Sequence, residues 1–332
     1  MSVFCFSSLK GGVGKTSLTI NIGHAFAIRG CSVLIIDLDP SAHATRFFRK
    51  RKASECFPSH PPLARAFLRK DGEGEFDGSS EDDVEQFFVR VRPDLEILPG
   101  GNELRHFVPG YGARHFAAKF KPLLEELKLH FDHILIDTPP ELNVLTRNSL
   151  AQADLVVVPV DASEMSIDSA EDLLDGAGSL TRARWVIART MVTSVAYRSH
   201  SLSNQRLTER LSFLPSGKGS SFALATEEGI RSLPFPRTEG VNEPRKDLYL
   251  LETMVFRTEV QNQLSFLGKT SFDTRKTHLL AEQYKAVARE LETIVAALEE
   301  ERTVGLEDSE KEIKTMAGTL LASAQLGMGS TL

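Results

Sequence analysis

Two lysines flank a glycine-rich run in residues 8–16, which read SLKGGVGKT. In such a run glycines let successive backbone N–H groups turn toward an anion, and a helix that follows adds partial positive charge. A lysine at position 15 can neutralise phosphate oxygens, and the hydroxyl of Thr16 can ligate Mg²⁺. The pattern therefore predicts a phosphate-binding loop whose contacts are Gly11, Gly12, Val13, Gly14, Lys15, Thr16 and Ser17.

The elements around this loop have to place it at the edge of a sheet. Residues 3–7 form an apolar run, and Leu18, Ile22 and Phe26 repeat with helical spacing after it. Further apolar runs occupy residues 33–37, 133–137, 155–160 and 185–188. Such runs are typical of parallel strands buried on both faces. We predict an α/β fold, a doubly wound, mostly parallel sheet flanked by helices. Asp137 closes one of these strands, so its carboxylate should emerge beside the loop.

Lys10 gives the loop a second lysine at its start, and this arrangement resembles the deviant Walker A motif of the ParA/MinD group of ATPases. Blocks that look like the group's switch I, next strand and turn, Walker B with switch II, and following strand lie at 33–40, 95–102, 133–140 and 155–160. The resemblance covers residues 1–195, with a weaker match at 255–295. It implies a SIMIBI-type P-loop NTPase, most similar to ParA/Soj-like partitioning proteins, with a single domain over residues 1–300.

The resemblance also implies roles for individual residues. Lys10 matches the signature lysine that contacts the nucleotide of the partner subunit, and Asp39 matches the switch I aspartate that orients the attacking water. Because aspartate is a weak base at neutral pH, we expect slow turnover. Residues 39–43 read DPSAH where the family often has D-P-Q-x-N, so the switch departs from the pattern. The catalytic set is therefore Lys10, Lys15 and Asp39. The Mg²⁺ set is Thr16, Asp37 and Asp137, the aspartates binding through water. The nucleotide set adds Lys10 and Thr190 to the loop, with ATP as the expected nucleotide, because Thr190 ends a strand where the family often has an asparagine that contacts the base.

The implied partners are a second copy of the chain with ATP, non-specific DNA and a ParB-like adaptor. Two basic segments could contact DNA, although charge runs often only solvate a surface; they comprise Arg46, Arg49, Lys50, Arg51 and Lys52, and Arg257, Lys269, Arg275 and Lys276. The expected function is partition of plasmid or chromosome DNA. Two alternatives stay open: a positioning or assembly ATPase with a protein cargo, and a P-loop metabolic or cofactor-assembly enzyme.

Composition limits other classes of function. The net charge of −6 provides no global basic field, so DNA binding requires a local patch. Three scattered cysteines without a C-x-x-C pair argue against a disulfide framework and against a zinc site. There is no apparent signal peptide or run of about 20 apolar residues, and the acidic residues 301–332 disfavour membrane binding. We therefore expect a cytoplasmic protein, associated with the nucleoid if it binds DNA.

Three segments depart from the expected domain, and a fourth is expected to close it. Residues 71–85 are acidic, with interleaved glycine and serine, and indicate a surface loop. Residues 199–253 are longer than the family's usual connection and indicate an insertion, with a helix expected at 204–213. A strongly amphipathic pattern over 276–300 predicts a closing helix. Residues 301–332 are expected to form a polar, loosely held tail.

Overall fold

A computed structural model describes residues 1–50, 88–107, 111–161, 163–192, 223–232 and 248–327. Its strands are β1 (Ser2–Phe6), β2 (Val33–Asp37), β3 (Val89–Arg92), β4 (Leu95–Leu98), β5 (His133–Asp137), β6 (Leu155–Val160), β7 (Arg184–Val192), β8 (Ala223–Thr226), β9 (Gly229–Ser232) and β10 (Leu248–Phe256). Its helices are α1 (Lys15–Ile28), α2 (His43–Arg49), α3 (Tyr111–Leu127), α4 (Val144–Gln152), α5 (Glu164–Ala177), α6 (Glu259–Phe266) and α7 (His278–Gly327).

The strands form one sheet in the order β3-β4-β2-β5-β1-β6-β7-β10-β8-β9. The β3–β4 and β8–β9 pairs at the two edges are antiparallel, and the other neighbours are parallel. This confirms the predicted mostly parallel sheet. Parallel strands end at the same edge, so the loop after β1 and the aspartates that end β2 and β5 meet there.

Helices cover both faces of the sheet, which explains why its central strands are apolar throughout. On one face, Phe26 of α1 packs in the same cluster as Tyr284 and Leu291 of α7. On the other face, α3 contributes Phe120, and α4 and α5 pack against the neighbouring strands. Burying apolar side chains on both faces is the main favourable contribution to this fold.

One expectation about segment boundaries is corrected. The segment predicted as an insertion, 199–253, contains the β8–β9 hairpin and the start of β10, which lies between β7 and β8 in the sheet. Residues 248–251 are buried there, so they belong to the main core. The helix expected at 204–213 and the acidic loop at 71–85 lie outside the described residues.

The segment predicted to be a polar tail is helical as far as Gly327, and its loose attachment stays a prediction. Helix α7 extends from His278 to Gly327 without interruption. Residues 301–327 contain no proline and many alanine, leucine, glutamate and lysine residues, all of which favour helix. No helix in the described ranges is long and apolar enough to cross a membrane.

Candidate functional site

The glycine-rich run forms a loop between β1 and α1. Gly12 and Gly14 have φ values of 83° and 87°, a left-handed conformation that side chains disfavour. Gly14 is the N-cap of α1 and supplies no capping side chain. The first N–H groups of α1 therefore remain available to donate hydrogen bonds to an anion. Local geometry thus agrees with the predicted phosphate loop.

Lys15 and Thr16 meet Asp137 at the mouth of this loop. The ammonium of Lys15 lies 2.7 Å from one carboxylate oxygen of Asp137, and the hydroxyl of Thr16 donates to the other at 2.7 Å. Asp137 is fully buried and Lys15 nearly so. A bound triphosphate could attract the ammonium of Lys15 away from Asp137. The hydroxyl of Thr16 and the carboxylate of Asp137 would then be available to a cation. Both groups offer the oxygen atoms that Mg²⁺ prefers.

Asp37 ends β2 directly beside Asp137, its register partner on β5. One of its oxygens accepts hydrogen bonds of 2.8 Å from both the backbone N–H and the hydroxyl of Thr45. Burial, and then the charge of Asp137, raises the pKa of Asp37 to about 7. Two adjacent buried carboxylates repel each other, and a divalent cation between or near them would relieve that repulsion. The pair therefore suits the predicted Mg²⁺ site.

Two residues that sequence reasoning missed hold Asp37 in place. Thr45 caps the carboxylate, and the backbone N–H of Gly100 donates to the Thr45 hydroxyl at 3.0 Å. Gly100 approaches so closely that a Cβ there would lie 2.1 Å from the carbonyl oxygen of Asp37. Only glycine fits at this position without moving the strand end. The signal that could have found it is the Pro99-Gly100-Gly101 turn after β4.

Asp39 lies in the turn that leads from β2 to α2. Its carboxylate accepts a 2.7 Å hydrogen bond from the N–H of Ser41, and its own N–H donates to Asp37. This local turn fixes the backbone but leaves the second carboxylate oxygen of Asp39 without a protein donor among the described residues. His43 is exposed at the first turn of α2.

Lys10 is held within its own chain. Its ammonium lies 2.9 Å from Asp161 and 2.7 Å from the hydroxyl of Ser163, residues that follow β6 and begin α5. Burial alone would raise the pKa of Asp161, but hydrogen bonds from Ser163 and Lys10 lower it. Lys10 is therefore bound after β6, whereas Lys15 is bound at the end of β5, and the partners of Lys10 were not predicted from the sequence.

Thr190 lies beneath the loop. Its hydroxyl donates to the carbonyl of Val13 at 2.7 Å, and the residue is only 3% exposed. The next residue, Met191, has a positive φ of 55°, and its side chain lies close to Gly14. In this position Thr190 supports the phosphate loop, while its predicted contact with the nucleotide base stays a prediction.

The first predicted basic segment contacts α6, the helix that lies between Arg257 and Lys269 of the second segment in sequence. The ammonium of Lys50, just after α2, donates to the backbone carbonyl of Ser265 on α6 at 3.2 Å and lies over the ring of Phe266. The residues of both segments that fall within the described ranges are exposed: Arg46, Arg49, Lys50, Arg257, Lys269, Arg275 and Lys276. Arg51 and Lys52 lie outside those ranges.

Comparisons with known proteins agree with the fold. The sequence model of a family described as an AAA domain matches residues 1–184. Soj from Bacillus subtilis, a sporulation initiation inhibitor protein, is 29% identical over 177 residues, which cover 52% of this chain and 63% of Soj. The chromosome partitioning protein ParA from Caulobacter vibrioides is 27% identical over 184 residues, covering 52% of this chain and 61% of ParA. The matches thus span less than two thirds of these relatives.

Solved structures show the same fold at lower identity. Apo McdA from Cyanothece superposes with a TM-score of 0.60 at 18% identity, covering 88% of this chain and 99% of McdA. The MinC:MinD complex from Aquifex aeolicus gives a TM-score of 0.60 at 17% identity, covering 88% of this chain and 96% of that chain. Because the family match covers more than half of the sequence, the chain belongs to this AAA-domain family, and it is similar to P-loop ATPases of the ParA/MinD type.

Proposed function

We propose that this chain binds Mg²⁺ and ATP at the phosphate loop, dimerises on ATP, and hydrolyses it slowly as a switch. The convergence of Lys15, Thr16 and Asp137 supports the first step. Loop N–H groups and Lys15 would hold the phosphates, and Thr16 with the Asp37–Asp137 pair would hold the cation. These groups stabilise charge that develops during phosphoryl transfer.

The observation that carries the dimer proposal is the contrast between the two lysines of one loop. Lys15 is buried on Asp137, whereas the Lys10 side chain is 23% exposed and bound to Asp161. A lysine at the surface can bind phosphate on another molecule, and ATP would then join two copies through Lys10 of each. Hydrolysis would remove the γ-phosphate and favour separation.

Asp39 would orient the attacking water. It lies two residues after Asp37, a proposed cation ligand to which its backbone N–H donates. One of its carboxylate oxygens has no protein donor among the described residues. Positioning without strong general-base chemistry would give slow turnover. An adaptor of the ParB type would accelerate this step by completing the site.

We further propose that the ATP dimer binds DNA without base readout and drives partition of plasmid or chromosome DNA. The exposed basic side chains next to α6 support this proposal, since two copies would present two such surfaces. Lysine and arginine contacts to phosphates carry affinity but no sequence information. The chain's net charge of −6 makes such binding depend on this local surface.

Oligomeric mass across nucleotide states tests the dimer. In an Asp39→Ala background, light scattering should give a dimer with ATP and a monomer with ADP. The matched Lys10→Ala change on that background should leave ATP binding intact and keep the chain monomeric with ATP. A monomer in every state, or a dimer that survives Lys10→Ala, would reject the proposal.

DNA co-sedimentation separates partition from the alternative functions. We expect retention on plasmid DNA with ATP but not with ADP or without nucleotide, and a loss of retention as salt increases. Equal retention on DNA with ATP, with ADP and without nucleotide would contradict the proposed ATP-dependent switch. An ATP-dependent dimer that does not bind DNA would instead favour the ATPase with a protein cargo.

A further inference from the structure

Three side chains with metal-binding atoms converge at the edge of the sheet opposite the phosphate loop. Cys31 precedes β2, His133 begins β5, and Glu292 lies on α7. A sulfur, an imidazole nitrogen and a carboxylate oxygen from these residues all lie within 4.8 Å of one another. They are far apart in sequence, so only the fold brings them together.

Neither ring nitrogen of His133 has a hydrogen-bond partner among the described residues. Nδ1 is buried without a partner, and Nε2 is 4.0 Å from Oε1 of Glu292, too far for a hydrogen bond. Buried polar atoms in proteins are rarely left unpaired. An ion between Nε2 and Glu292 would satisfy Nε2 and hold the imidazole in the tautomer that carries its proton on Nδ1.

Glu292 can share its carboxylate between two cations. Its Oε2 binds the guanidinium of Arg29, while Oε1 faces His133. Phe26 lies against the imidazole, with ring centroids 4.4 Å apart, and limits its rotation. The histidine and the glutamate are therefore each oriented by a neighbour other than the proposed ion.

From this arrangement we infer that Cys31, His133 and Glu292 form a binding site for a borderline divalent metal ion, with Zn²⁺ as the expected occupant. Thiolate, imidazole and carboxylate are all zinc ligands, and three of them leave one position for water. Harder ions such as Mg²⁺ prefer all-oxygen sites. The lack of a C-x-x-C pair thus excludes a cysteine-rich zinc site but not this one, which uses a single cysteine.

The ionisation of the ligands agrees with this site. Burial lowers the pKa of His133 to about 4, so the imidazole is neutral and able to ligate at neutral pH. Burial, followed by the charges of Glu292 and Asp132, raises the pKa of the Cys31 thiol. Bound Zn²⁺ would favour the thiolate form of Cys31 over the thiol, and the thiol proton would pass to solvent.

The site lies well away from the nucleotide. His133 and Asp137 are the two ends of β5, four residue steps apart, or about 13 Å along a strand. The ion would connect the end of α1, the start of β5 and α7. It would therefore act as a structural tie that fastens α7 to the sheet, and nucleotide binding would not require it.

Cobalt spectroscopy tests the assignment on the full chain. Co²⁺ added in the presence of excess Mg²⁺ should give a thiolate-to-metal charge-transfer band with a one-to-one end point, and Zn²⁺ should displace it. Zn²⁺ should also raise the melting temperature and release about one proton per ion at pH 8. We expect Cys31→Ser to abolish the band and Glu292→Gln to weaken cobalt binding at least tenfold, as loss of one ligand should.

Matched controls keep the result interpretable. Glu299→Gln removes an exposed carboxylate from the same helix and should bind Co²⁺ like the unchanged chain. Glu292→Gln also loses the ion pair with Arg29, so Arg29→Gln serves as a second control that removes the pair and spares the ligand. The absence of a thiolate band, or a band that persists in Cys31→Ser, would overturn the inference.

Discussion

The ammonium of Lys10 lies 2.9 Å from a carboxylate oxygen of Asp161 in the same chain. If Lys10 must reach the nucleotide of a second copy, this ion pair has to break first. The pair therefore opposes dimerisation by whatever free energy it contributes. Because both side chains are more than one-fifth exposed, that contribution is modest, about 1 kcal/mol.

Asp161→Asn should strengthen the ATP dimer. Asparagine keeps an oxygen that can accept from the N–H of Ser163 but loses the charge that holds Lys10. Each copy then recovers about 1 kcal/mol, so the dimerisation constant should rise roughly tenfold or more. Light scattering across a concentration series with ATP, in the Asp39→Ala background, measures this shift.

A matched change on the same helix provides the control for this prediction. Asp175→Asn removes an exposed carboxylate of α5 that has no ion-pair partner among the described residues. Its dimerisation constant should equal that of the parent. A weaker dimer in Asp161→Asn would mean that Asp161 supports the dimer rather than competing with it.

The loop, the strand ends and the aspartates could be predicted because each is a local pattern. A strand that is apolar throughout and ends in aspartate identifies both an element and a side chain at its edge. The Lys10–Asp161 contact joins residues 151 positions apart, and the Thr45–Gly100 contact joins residues 55 apart. No periodicity or spacing encodes such contacts, so these partners could not be found from one sequence.

The errors at the end of the chain have a different cause. Strand β10 begins soon after a segment rich in proline and charge, and that composition concealed its first residues within the predicted insertion. Residues 301–312 are mostly charged, and that composition indicated a polar tail rather than a continuing helix. The residues there have favourable helix propensity. Because a helix that has already formed needs no new nucleus, it can continue through them.

Asp37 makes stability depend on pH. Its pKa is raised to about 7 in the folded chain, so between pH 4 and 7 the folded state holds a proton that the unfolded state has released. The free energy of unfolding should therefore fall as pH rises through this window. Each unit of pKa difference corresponds to about 1.4 kcal/mol.

Asp37→Asn should remove this dependence while keeping an acceptor for Thr45. Urea unfolding without Mg²⁺ should show the variant gaining stability relative to the parent as pH rises from 5 to 7, because only the parent loses stability through Asp37 in that window. Burial also raises the pKa of Glu290 to about 7, but that group titrates in both proteins and cancels in the difference. A difference that stays constant with pH would show that Asp37 is already charged at pH 5.

Thr190→Val should weaken the loop without changing nucleotide preference. Valine keeps the shape of threonine but loses the hydroxyl that donates to Val13. An unpaired carbonyl at a buried site costs about 1–3 kcal/mol, so ATP affinity should fall by about fivefold or more. The ratio of ATP to GTP affinity, measured by calorimetry, should not change.

Thr190→Ser restores the hydroxyl and should return ATP affinity close to that of the parent. If Thr190→Val instead alters the ATP-to-GTP ratio, the residue contacts the base, as the sequence resemblance implies. The two outcomes differ in which parameter moves, so a single titration series with both nucleotides decides between them.

The exposed basic residues at the start of α7 should determine the salt dependence of DNA binding. Arg275 and Lys276 have no ion-pair partner among the described residues, so replacing either with alanine removes a charge without freeing an acidic group. Each lost phosphate contact should make the negative slope of log affinity against log salt shallower by about 0.9. It should also weaken binding to all sequences alike.

Lys121→Ala is the matched control for these two changes. Lys121 is exposed on α3, which covers the opposite face of the sheet from α7, so the same loss of charge occurs away from the proposed surface. Its slope should match that of the parent. Equal effects from Lys121 and Arg275 would mean that net charge governs binding rather than a local surface.

Phe266→Ala extends the test, because that side chain is 77% exposed beside Lys50. A stacking contribution would lower affinity without changing the salt slope, since the ring carries no charge.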